Sequence, residues 1–205
     1  MNMTSTVFRA ASLAALLMAS GAAAYAQASD PAVTPVQSFY DTLVASMKQG
    51  KQLGIKGRYE KLKPVIEQSF DLPGMTRLSV GPAWTTMSEA DQKALTVALS
   101  RYTIASYASN FKSFDGEKFV VDPTSSVRGA DRIVTSKLIA GSDTIPFNYR
   151  MRQSGASWKV IDIFLNGYVS QIAKQRSDFG ATVQSGGAAG LEKKLNNLAD
   201  GLLKE

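Results

Sequence analysis

Between Ala94 and Phe111 nearly every residue is apolar or small, and Arg101 is the only charge. Ser88-Glu89-Ala90-Asp91 just ahead resembles a capping box, with Asp in place of the usual Glu or Gln, so a helix is predicted from there to about Lys112. A helix that is apolar on all sides has no face to give to water. It must be covered on every side or line a greasy cavity, and the rest of the chain has to supply that cover.

Helices are predicted on both sides of it. Val33, Val36, Tyr40, Leu43, Val44 and Met47 follow helical spacing up to Gly50. Lys51 to Arg58 reads as a polar, glycine-broken connection. A second helix is predicted over Tyr59 to Phe70, with Pro64 in its first turn. Asp71 reads as the N-cap of a short helix from Leu72 to Val80, ended by Gly81-Pro82. After the long helix the pattern changes to strands: Lys118–Asp122, Asp131–Ile139, Thr144–Gln153 and Ser157–Leu165. The third alternates cleanly, with Ile145, Phe147, Tyr149 and Met151 on one parity. The fourth is apolar on both parities, which a sheet solvated on one face does not need. Tyr168 onward is predicted as a helix, broken at Gly186-Gly187, with a last amphipathic helix over Ala188 to Leu203. This order implies an α+β fold: an antiparallel sheet of about four strands packed against several helices.

The amino terminus carries Arg9, a short apolar run from Ala10 to Ala19, and the small-residue sites Ala24-Tyr25-Ala26 and Ala26-Gln27-Ala28. That pattern predicts a cleaved secretory leader over residues 1–28, a single domain over residues 29–205, and a periplasmic location. Removing Arg9 lowers the formal charge of +6 by one and leaves a basic chain, suited to anionic membranes or headgroups. Export and the lack of like-charge blocks argue against nucleic acid as a partner. The chain has no Cys and no His. His- or Cys-ligated metal sites, Ser-His-Asp triads and thiol nucleophiles are therefore excluded, and no metal or cofactor is expected.

Asp162, a carboxylate on an otherwise apolar strand, has two readings. It is a general base of a small isomerase- or dehydratase-like enzyme, or a half-buried acid paired with Arg150, Arg152 or another cation. The second carries more weight, because no partner carboxylate lies at a telling spacing. Arg77, Arg101 and Arg150 are candidates for gripping a phosphate. Phe147, Tyr149, Met151, Val160, Ile161 and Ile163 of the strands, with Leu99, Tyr102 and Tyr107 of the long helix, are candidates for lining a hydrophobic pocket between sheet and helices. A carrier, an enzyme using Asp162 and a ligand-free protein-binding adaptor all fit these residues.

Two blocks of sequence sharpen the choice. Phe70-Asp71-Leu72-Pro73-Gly74-Met75-Thr76-Arg77, continued by Gly81 and Trp84, is followed by Tyr107-Ala108; then come Tyr149-Arg150 and Trp158-Lys159-Val160-Ile161-Asp162-Ile163, with Gly167, Arg176 and Phe179 after them. In order and spacing they resemble the MlaC-type toluene-tolerance proteins over roughly Val33 to Leu203. The resemblance implies a non-enzymatic, monomeric periplasmic carrier. It would hold the acyl chains of a phospholipid between sheet and helices and shuttle it between an outer-membrane lipoprotein complex and an inner-membrane ABC transporter. Ile161 in place of an aromatic, and Lys174-Gln175-Arg176 in place of Asn-Tyr-Arg, are similar to a divergent, hopanoid-associated branch, which makes a hopanoid the alternative cargo.

Overall fold

The structure, a computed structural model, describes residues 30–204. The leader expected over residues 1–28 lies outside the described residues. Five helices, a 3-10 turn and six strands follow one another: α1 (Thr34–Lys48), α2 (Gly50–Ser69), α3 (Leu72–Val80), the 3-10 helix (Gly81–Thr86), α4 (Glu89–Asn110), β1 (Lys118–Val121), β2 (Ser126–Arg128), β3 (Asp131–Ala140), β4 (Asp143–Ser154), β5 (Ser157–Leu165), β6 (Val169–Ser170) and α5 (Gln171–Leu202). The strands form one antiparallel sheet in the order β1-β3-β4-β5-β6, and β2 adds to the free end of β3. The fold is α+β, with helices packed against the sheet. No helix among the described residues is long and apolar enough to cross a membrane.

The helix starts follow local chemistry. The Asp71 carboxylate accepts the N–H of Gly74 at 3.0 Å, and the Ser88 hydroxyl accepts that of Asp91 at 3.1 Å. Each satisfies a donor that the first turn of a helix leaves open. The break expected at Gly186-Gly187 is present: Gly187 adopts φ 60° and ψ −155°, a conformation that costs an L side chain, and α5 bends there into two helical arms.

Three expectations about local structure are overturned. Lys51 to Arg58 is helical and belongs to α2, interrupted only at Gly54 (φ 59°, ψ −178°). The reason is Arg58, which is buried: its Nε donates to the Ala108 carbonyl at 2.7 Å and its Nη1 to the Gly50 carbonyl at 3.0 Å, so this charge caps the end of α4 from inside. Pro64 consequently sits within α2 and not in its first turn. Tyr168 and Val169 do not begin a helix. Val169 and Ser170 form β6, and Ser170 then caps α5 by accepting the Ala173 N–H at 3.0 Å.

The fourth predicted strand explains its own double-sided apolar pattern. Between β4 and β5 the register slips: Arg150 faces Asp162, whereas Met151 faces Val160. Ile161 is the extra residue of a β-bulge, so the inward parity changes along the strand. Val160 before the bulge and Ile163 and Leu165 after it all turn to the helical side, opposite Met151, Tyr149 and Phe147.

Candidate functional site: an uncharged cavity between sheet and helices

The inner face of the sheet and the helices over it enclose a cavity of about 390 Å³. Its apolar lining comes from Phe39, Tyr40 and Leu43 of α1, Phe70 and Met75 at the α2–α3 corner, Tyr107 and Phe111 of the α4 end, and Phe119, Phe147, Tyr149, Ile163 and Leu165 of the sheet. Tyr102 of α4 completes the aromatic lining. The remaining lining groups are Thr103, Ser106 and Asn110 of α4 and Gln171 and Gln175 of α5. Spacings of three and four residues put the α4 set on one helical stripe. Asn110 is exposed, and the other four are half-buried, as are Phe111, Phe119, Phe147 and Leu165, so the polar groups of α4 and α5 share the accessible part of the lining with aromatic and aliphatic side chains.

Among the described residues, not one Asp, Glu, Lys or Arg lines this space. The tyrosines do not add charge. Burial pushes the phenols of Tyr40, Tyr107 and Tyr149 above the ordinary tyrosine range, and for Tyr149 the neighbouring Tyr40 and Tyr107 push further in the same direction. The Tyr40 hydroxyl is paired with the Ser136 hydroxyl at 2.8 Å, which leaves the ring as the surface it offers. The rings brace one another: Phe39 lies edge-on to Tyr107 at 4.9 Å and to Phe70 at 5.2 Å, and Tyr40 leans on Phe119 at 4.5 Å. Rigid plates of this kind hold walls apart where flexible aliphatic side chains would collapse inward.

Of the residues singled out from sequence, Phe147, Tyr149, Ile163, Tyr102 and Tyr107 line the cavity. Met151 and Val160 belong to the solid part of the same core, and Ile161 is buried at the bulge. Phe70 bridges to Val160 and the Asp71 N–H reaches the Val160 carbonyl at 2.9 Å, which seats the α2–α3 corner on that end of the sheet. Leu99 faces a separate apolar cluster with Val80, Leu95, Phe179, Leu191 and Leu195. The lining from α1 was not singled out, although Tyr40 and Leu43 stood on the predicted apolar face and Phe39 is its direct neighbour.

The three arginines lie apart from the cavity lining. Arg77 is exposed on α3. Arg101 joins α4 to α5 through Asp200 and the Asn196 carbonyl. Arg150 stands on the outer face of the sheet, where its Nε meets Asp131 at 2.6 Å; Arg152 Nε meets the same carboxylate at 2.7 Å.

Among the described residues Asp162 has no arginine partner, contrary to expectation, because Asp131 takes both Arg150 and Arg152. Instead the Asp162 carboxylate accepts the N–H of Ile163 at 2.8 Å, the Ser170 hydroxyl at 2.6 Å and the N–H of Ile172 at 3.1 Å. It pins the start of α5 to β5 and does not line the cavity. A carboxylate held by three donors and outside the cavity lining is a structural clamp, out of reach of a ligand in that space.

Comparison with known proteins agrees with this architecture. No curated protein matches the sequence. A solved structure titled as the phospholipid-binding protein from Ralstonia solanacearum in complex with a phospholipid superposes with a TM-score of 0.73 at 19% identity, covering 85% of this chain and 99% of that one. At that identity the likeness establishes the fold. The family model described as MlaC protein matches residues 37–197, most of the chain. The chain belongs to the MlaC family, whose members are carriers and not enzymes.

Proposed function

We propose that this protein is a periplasmic carrier that holds the acyl chains of a phospholipid in the cavity between sheet and helices. The observation that carries the reading is a cavity of about 390 Å³ whose lining, among the described residues, holds no charged group. Hydrocarbon gains about 0.8 kcal/mol per buried CH₂, so a chain of about 15 such groups is worth roughly 12 kcal/mol and has a negligible free concentration in water. Only a neutral, apolar interior matches a bilayer closely enough to receive such a chain. The Ralstonia solanacearum protein of the same fold was solved in complex with a phospholipid, which supports the same cargo here.

Size sets the next step. A dry cavity of about 150 Å³ takes up benzene, with its six carbons. On that scale, about 390 Å³ accommodates about 16 carbons, or one acyl chain. A two-chain lipid therefore requires the helices to part from the sheet, and a carrier that opened in water would lose its cargo slowly and at great cost. Loading and release belong on membrane partners, an inner-membrane ABC transporter and an outer-membrane lipoprotein complex. Donor and acceptor complexes on liposomes separated by a dialysis membrane test this; undiminished transfer without contact rules out the docking step.

Native mass spectrometry of protein from the exported fraction, followed by organic extraction, tests the cargo itself. A glycerophospholipid at one per chain is expected. A hopanoid in its place moves the cargo to the alternative expected from the divergent motifs, and an empty protein with no uptake from vesicles overturns the carrier reading.

A further inference from the structure

Resting on that carrier reading, we propose a second class of cargo: monoacyl glycerophospholipids, which this protein takes up in its closed form. The cavity accommodates about one acyl chain without moving any element. What stands at its opening then decides which single-chain lipid fits. Among the described residues, its hydrogen-bonding side chains other than phenols come from α4 and α5: Thr103, Ser106, Asn110, Gln171 and Gln175. Ser79 donates to the Gln175 side-chain carbonyl at 2.7 Å, which holds that amide in place and leaves its NH₂ as the group a ligand can use. Each of the five is neutral.

A neutral rim discriminates by where a ligand carries its charge. In a free fatty acid the carboxylate is the end of the chain itself. A fully inserted chain would set that charge on the rim, where the nearby Lys174 of α5 is outside the lining and already paired with Asp178 at 2.6 Å, so a half-desolvated anion is disfavoured. In a monoacyl phospholipid the group at that depth is an uncharged ester and a glycerol hydroxyl, which amides and hydroxyls satisfy, and the phosphate stands several bonds farther out in water. The same geometry thus admits one single-chain lipid and rejects the other.

The full chain, isolated from the exported fraction and delipidated, is offered three probes. They are a lysophosphatidylcholine with a chain of about 16 carbons held below its micelle concentration, the free fatty acid of the same chain, and diacyl phosphatidylcholine vesicles. Native mass spectrometry reads stoichiometry and backbone hydrogen exchange reads opening. The expected result is one lysophospholipid per chain with the exchange protection of α1 and α4 kept, and diacyl uptake accompanied by loss of protection in one of them. The fatty acid should bind about tenfold more weakly, the equivalent of one missing charge-assisted contact. Asn110→Lys, a change at an exposed position, should remove most of that difference by supplying the cation. Diacyl uptake without lysophospholipid binding overturns this proposal and leaves the phospholipid carrier standing. Equal binding of the two single-chain lipids overturns the role given to the rim, as does an Asn110→Lys protein that still rejects the fatty acid. Failure of all three probes to bind removes both this proposal and the carrier reading.

Discussion

In its first half α4 turns Leu95, Ala98 and Leu99 toward Val80 of α3 and Phe179, Leu191 and Leu195 of α5; in its second half it turns Tyr107, with Phe111 just past its end, toward the cavity, and Tyr102 touches both. The two halves have similar hydrophobicity, and a sequence profile does not separate them. Their difference is in shape. Leucines of α4 and α5, with Ala98, interdigitate around Val80 and the single ring of Phe179, and Leu95, Leu191 and Leu195 are entirely or almost entirely shut off from solvent. Aromatic rings facing a sheet meet a flat wall, lock edge to face with one another, and leave space between them. Apolar content makes a core; whether the core is full depends on which apolar residues face which kind of surface.

The largest effect should come from the filled end. Leu195→Ala is expected to cost about 2–5 kcal/mol, since it removes buried methyl groups and leaves a void that three helices close only in part. Lipid recovered per folded protein should be unchanged. Chemical denaturation paired with lipid extraction checks both, and a loss of lipid with intact stability would erase the distinction between the two ends.

The cavity wall is braced from its other side, and breaking that brace comes next. Asp131 is 2% exposed and sits between Arg150 and Arg152 on the outer face of the sheet. Hydrogen bonds from Arg152 hold its carboxyl below the ordinary carboxylate range, against the upward pull of burial and with help from Arg150. Asp131→Asn should cost about 2 kcal/mol near neutral pH, at the lower end for charged hydrogen bonds because both arginines reach solvent. A depressed folded pKa stabilises above the unfolded value of about 3.9 and ceases to do so as pH falls through the folded value. The gap between wild type and Asp131→Asn should therefore be constant at neutral pH and shrink below about pH 4. A gap independent of pH would show that the carboxylate charge is not what holds the wall.

A third change converts the open end toward the closed kind. Ile163→Phe adds a ring on the cavity side of β5. In the delipidated protein its effect on stability should stay within about 1 kcal/mol of either sign, because it fills space and displaces little. Lipid carried per protein should fall several-fold. Unchanged loading, measured by extraction, would mean that the acyl chains lie elsewhere.

How much of this the sequence reveals follows from the range of each interaction. Asp71, Ser88 and Gly187 act within one turn of chain, so their caps and kink are visible in the residues themselves. The alternation of β4 is equally local and correctly aims Phe147 and Tyr149 at the helices. The bulge at Ile161 is a relation between two strands, and counting parity along one of them cannot reveal it. Without it, Val160 and Ile163 look like two faces when they share one. Arg58 looks like part of a polar loop until the end of α4, fifty residues away, supplies its acceptor. Asp162 invites an arginine because Arg150 stands opposite it, yet Asp131 holds that arginine from the next strand over. Pocket residues divide for a similar reason: the α2–α3 corner seats on Val160 and ends the open part of the wall before Met151.

The smallest expected effect concerns the expectation that α4, apolar on all sides, is covered on every side or lines a cavity. Val97, in the filled half of the helix, is 62% exposed, so α3 and α5 cover the neighbouring leucines but leave this position open. Val97→Lys removes a β-branched residue from a solvent-facing helical site and should change stability by no more than about 0.5 kcal/mol, in either direction. Thermal unfolding and lipid extraction should both match wild type. A loss of about 2 kcal/mol or more would mean that this stretch is covered after all. Wild-type stability and lipid content combined with failed delivery to a membrane complex would be more instructive: the filled end of α4 would then be the part that meets the partner, and the open end the part that carries the load.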